Sequence, residues 1–84
     1  MVSVKLRVLL FGRVSDALGR QLEADVPETG CTVGDLRRLI SEAAGSEVLL
    51  QKGVRASIDR QVVSDDALVL PGAEVAFFSV FSGG

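Results

Sequence analysis

Between Val2 and Leu10 the even positions are Val, Val, Leu, Val and Leu, while Ser3, Lys5 and Arg7 stand between them. A period of two is the spacing of side chains on a strand with one buried face, and it does not fit a helix. The chain has 84 residues, so surface-to-volume scaling leaves room for one modest core, and residues 1–84 are expected to form a single domain.

The pattern changes along the chain. Gly12 to Gly19 breaks the alternation and reads as a turn or short helix, after which Gln21 to Val26, with Leu22, Ala24 and Val26 on one face, gives a second strand ending at Pro27. Thr32 with Asp35 three residues on marks a helix start, and Cys31 and Leu36 occupy staple positions across it. Val33, Leu36, Leu39, Ile40 and Ala43 recur at helical spacing, Arg37 and Arg38 fall off that stripe, and Gly45 supplies a left-handed stop. Arg55 to Val63 reads as two short strands or one bent strand around Asp59-Arg60. Pro71-Gly72 fits the centre of a type II turn, and it introduces a last strand from Glu74 to about Phe81. Strand, strand, helix, strands describes an α+β domain with one main helix packed on a small sheet.

Composition narrows the function. A net charge of −2 and four aromatics, all Phe, give neither a basic stripe for phosphates nor a stacking platform, so nucleic acid is not an expected partner. The longest apolar runs are far shorter than the roughly 20 residues of a membrane-spanning helix, and Lys5 and Arg7 interrupt any leader-like stretch; a cytoplasmic protein is expected. There is no His and one Cys. That removes Cys-His nucleophile pairs, the usual general base near neutral pH, and the ligand sets of transition-metal sites, so no independent active site and no bound metal or cofactor are expected. Asp65-Asp66, Glu42 and Glu47 fall in turns or on helix exteriors and read as solvated charge, as do Arg37 and Arg38. Cys31 reads as a small hydrophobe at the helix start.

The final residues carry the strongest signal. An apolar strand, Phe77-Phe78-Ser79-Val80-Phe81, runs directly into Ser82-Gly83-Gly84. At average glycine usage a closing Gly-Gly arises by chance in roughly one chain in two hundred. Two residues without Cβ make a thin strip able to enter a narrow channel in a partner and deliver a terminal carboxylate. A carboxylate is a poor acyl donor, so it needs activation, for instance as an acyl-adenylate, before a sulfur nucleophile attacks its carbon.

Three blocks resemble the small subunit of molybdopterin synthase, a sulfur-carrier family of ubiquitin-like β-grasp fold. They are Val8-Leu9-Leu10-Phe11-Gly12 with Asp16 and Gly19; Thr32-Val33-Gly34-Asp35-Leu36; and Gly72-Ala73-Glu74-Val75-Ala76-Phe77-Phe78 running to Ser82-Gly83-Gly84. The resemblance implies that Gly84 is adenylylated by a ubiquitin-activating-like adenylyltransferase using ATP, then converted to a thiocarboxylate. It implies further that a large catalytic subunit binds the pterin substrate and receives the sulfur for dithiolene formation. Carriers for thiamine thiazole, cysteine or tRNA thiolation share the same tail, and so do ubiquitin-like modifiers that are amide-linked to lysines. A plain interaction module with an incidental tail is a further reading.

Strand parity bears on the partner. Val75, Phe77 and Phe81 share one parity and Ala76, Phe78 and Val80 the other, so apolar side chains remain on whichever face does not pack on the helix. The expected partner interface is therefore the face bearing Phe78 and Val80, or its opposite-parity partner Phe81, together with Ser82, with Gly83 as tail and Gly84 as the reacting residue.

Overall fold

The computed structural model describes residues 2–79. The chain forms β1 (Ser3–Phe11), α1 (Arg13–Leu18), β2 (Gln21–Pro27), β3 (Cys31–Thr32), α2 (Val33–Ala44), a 3-10 turn (Val48–Leu50), β4 (Val54–Ile58), β5 (Gln61–Val63), β6 (Leu68–Val69) and β7 (Val75–Ser79). Five strands make the main sheet in the order β2-β1-β7-β4-β5, and β3 pairs with β6 in a separate ribbon. β1 and β7 run parallel side by side, and the other pairs in the main sheet are antiparallel, so the sheet is mixed. No helix among the described residues is long and apolar enough to cross a membrane.

Alternation does what the sequence predicts in β1. Leu6, Val8 and Leu10 are buried beneath α2, and Ser3, Lys5 and Arg7 face outward. Across the sheet, Ala24 and Val26 of β2, Val54 and Ala56 of β4, and Val75 and Phe77 of β7 join the same core. Turn chemistry sets the connections. Pro71-Gly72 closes a turn in which the Ala73 N–H donates to the Leu70 carbonyl at 3.1 Å, with Gly72 at φ 92°. Asp59 and Arg60 join β4 to β5 with φ of 51° and 70°, the left-handed pair that matches strand twist in a two-residue hairpin. Asp59 is tied down twice: its N–H donates to the Glu74 carbonyl at 2.8 Å, and its Oδ1 accepts from the Glu74 N–H at 3.0 Å.

α2 begins as its sequence indicates, with the Asp35 N–H donating to Thr32 Oγ1 at 3.1 Å, and it stops at Gly45 in the left-handed conformation. Its buried stripe differs from the expected one. Val33, Leu36, Arg37, Ile40 and Ser41 face the core, whereas Leu39 is half-buried and Ala43 is exposed. The helix is thus rolled toward its Arg37 side, and two corrections follow. Arg37 is buried rather than solvated: its Nε donates to Asp65 Oδ1 at 2.9 Å, its Nη1 donates to the Leu49 carbonyl at 2.7 Å, and its guanidinium lies 5.3 Å from the Phe77 ring centroid. Asp65 is not merely solvated charge but the partner of that guanidinium. An arginine can be buried when its fork is hydrogen-bonded and its plane rests on an aromatic face, and here both conditions hold.

Candidate functional site: the outer sheet face and the strand that leads to the tail

β7 is the middle strand of the sheet, hydrogen-bonded to β1 on one side and β4 on the other. Its parity is resolved. Val75 and Phe77 are fully buried toward α2, so Ala76 and Phe78 lie on the outer face, where Phe78 is half-buried. Phe78 is flanked in register by Phe11 of β1 and Arg55 of β4; Ala76 is flanked by Leu9 and Ser57, with Val62 of β5 next across. Phe11 is 54% exposed and Val62 65% exposed. These side chains form an apolar strip across the outer face beside the end of β7, with exposed Arg55 at its side. The other end of that face is charged: Lys5 pairs with Asp25 at 2.8 Å, and Arg7 stands opposite Glu23.

Of the residues singled out from sequence, Phe78 takes the outward position expected of a partner contact. Val80, Phe81, Ser82, Gly83 and Gly84 lie outside the described residues. Parity reasoning missed Phe11, Leu9 and Val62. A signal was present for Phe11, an aromatic in the same parity class as Lys5 and Arg7 and hence on the solvent side of β1.

Cys31 sits at the start of α2, half-buried and packed against the core. Burial pushes its thiol pKa up, and Asp35 nearby adds to the effect. The thiol therefore stays protonated near neutral pH, unlike the activated thiolates of sulfur-transfer cysteines. Beneath the candidate face, Phe77 fixes β7 in the core and Arg37 lies against its ring.

The ThiS family model matches residues 8–84. The chain belongs to the ThiS family. No curated protein matches. Among solved structures, the ThiS-family chain is similar to SAMP1 from Haloferax volcanii, at 22% identity over 96% of this chain and 100% of that one, with a TM-score of 0.77. It is similar to a putative molybdopterin converting factor, subunit 1, from Pyrococcus furiosus, at 26% identity over 92% of this chain and 98% of that one, with a TM-score of 0.74. It is also similar to the ubiquitin of Caldiarchaeum subterraneum, at 18% identity over 99% and 100% of the two chains, with a TM-score of 0.61. The fold of this ThiS-family chain is the ubiquitin-like β-grasp, as the resemblance in its sequence implied.

Proposed function

We propose that this ThiS-family chain is a sulfur carrier that serves as the small subunit of molybdopterin synthase, with Gly84 as its reacting residue. The observation that carries the reading is the setting of β7: a core-anchored central strand with an aromatic on its open face, followed in sequence by Ser82-Gly83-Gly84, which the family match includes. In this reading the free carboxylate of Gly84 attacks the α-phosphate of ATP in the adenylyltransferase partner, releasing pyrophosphate and leaving a glycyl adenylate. Hydrosulfide then attacks the acyl carbon and displaces AMP, and a thiocarboxylate results. In the large subunit the thiocarboxylate sulfur bonds to a carbon of the pterin, and water then attacks the acyl carbon, breaking its bond to sulfur and regenerating the carboxylate of Gly84. The carrier contributes position rather than acid-base chemistry: the outer strip of Phe78 and Phe11 docks the domain, and the glycines reach into the partner.

The test is intact-mass measurement on protein from its native cell, joined to cofactor synthesis reconstituted with its partners. A thiocarboxylate appears as replacement of one oxygen by sulfur. Deleting Gly84 is expected to abolish both thiocarboxylate and cofactor synthesis while leaving the unfolding midpoint unchanged, and Gly83→Val is expected to give a graded loss. Normal synthesis without Gly84 would overturn the reading. Amide-linked conjugates of high mass that survive denaturation and reducing agents would instead identify a protein modifier.

A further inference from the structure

β5 is too short to cover the strand beside it. It spans three residues, and its register with β4 ends where Val63 meets Ala56, so among the described residues Val54 and Arg55 have no strand on that flank. The uncovered corner is a recess of about 470 Å³ between the start of β4 and the chain leaving β5. Leu50 and Val63 contribute apolar side chains to its lining. Lys52 and Arg55, both exposed, contribute two cations.

Neither cationic side chain has an ion pair or hydrogen bond among the described residues. The carboxylate in the lining, Asp65, is held by Arg37 and serves neither of them. Acid is not scarce. The chain carries 11 carboxylates against nine cations, and Lys5, Arg38 and Arg60 each have a carboxylate partner. The recess also continues the outer strip toward the tail: Arg55 stands beside Phe78 in register, and Val54 stands opposite Ser79, the last described residue before the tail.

We propose that this recess receives a carboxylate-bearing segment of the partner protein that takes up the tail, an Asp or Glu of that segment pairing with Lys52 and Arg55 and an apolar neighbour packing on Leu50 and Val63. The proposal rests on the carrier reading above and names the chemistry by which the partner is recognised. Two like charges sharing one recess favour an incoming anion, and a pair shielded by apolar walls is worth more than one in open solvent. A phosphate fits less well. It brings nearly two charges against the Asp65 carboxylate and has no apolar part to offer Leu50 and Val63, whereas a single carboxylate on a peptide supplies both.

The test has two arms, both on the full chain. In the first, heteronuclear NMR follows titration with the blocked peptide Leu-Glu-Leu-Asp-Leu. The amides of Lys52, Gly53, Arg55 and Ser64 are expected to shift with a Kd below about 5 mM, and Leu-Gln-Leu-Asn-Leu to bind about fivefold more weakly or worse. In the second, thiocarboxylate formation with the adenylyltransferase and sulfur transfer with the large subunit are measured against carrier concentration. Arg55→Glu is expected to raise KM about fivefold or more with kcat within about twofold and circular dichroism unchanged, while Lys5→Gln, at the other end of the outer face, changes neither. Raising salt from about 50 to 200 mM should raise KM for the unaltered chain more than for Arg55→Glu. The proposal is overturned if the amide peptide binds equally well, if inorganic phosphate or RNA shifts the same amides at lower concentration, or if Arg55→Glu leaves KM unchanged with both partners. Failure of the unaltered chain to form any thiocarboxylate would overturn the carrier reading instead, and the peptide arm would still decide the recess.

Discussion

One guanidinium ties α2 to three other parts of this molecule. Arg37 links α2 to the Leu49 carbonyl of the 3-10 turn and to Asp65 in the loop after β5, and it rests on the ring of Phe77 in β7. Arg37→Ala removes these bonds and leaves the Leu49 carbonyl without its donor, so a loss of about 2 kcal/mol in urea unfolding is expected. Arg37→Lys should restore only part, because an ammonium cannot reproduce the planar fork. Helical spacing could not reveal this role. It ranks Arg37 by polarity, whereas both hydrogen-bond partners lie far along the chain and are brought to it only by the tertiary fold. Cys31 was legible, since a helix-start position with no His in the chain leaves little to activate a thiol. Its raised pKa gives a measurable outcome: the thiolate is the reacting species, so alkylation by iodoacetamide at neutral pH should run slower than for a free cysteine derivative and should accelerate only above the ordinary thiol range.

Neighbouring residues on one strand have opposite duties. Phe77 is completely buried and Phe78 lies on the outer face, so Phe77→Ala should cost about 3–5 kcal/mol and unfold much of the population. Phe78→Ala should cost about 1 kcal/mol or less in the isolated chain, and its effect should appear in partner affinity instead. Urea unfolding of both variants, beside a binding measurement on Phe78→Ala, distinguishes the two faces. The β4–β5 turn offers a test of opposite sign. Arg60 holds a left-handed conformation that costs a side chain roughly 1–2 kcal/mol, and its 3.5 Å pair with Glu74 is exposed, so Arg60→Gly should raise the melting temperature. Asp59→Gly should not, since it removes the acceptor for the Glu74 N–H. The long strands, the main helix and both turns were legible because period, capping and turn residues are local signals. The β3–β6 ribbon was not, for strands of two residues carry no period. The outer strip was half legible: β7 showed its parity, but its neighbours Phe11 and Val62 depend on strand order.

That order also decides how the whole molecule responds to tension. β1 opens the described chain and β7 closes it, and the two lie parallel, with Val8 beside Val75 and Phe11 beside Phe78. A pull that separates the start of β1 from the end of β7 drags the strands along each other, and every bond between them is loaded at once. Attachment at Lys52, just before β4, and at Ser79 behaves differently. Val54 and Ser79 face each other at one end of the antiparallel β4–β7 pair, so the same load opens that ladder one rung at a time. Single-molecule extension should therefore record a higher rupture force in the first geometry than in the second. A pull on the tail while the start of the chain is held therefore loads the sheet in the more resistant of these two directions.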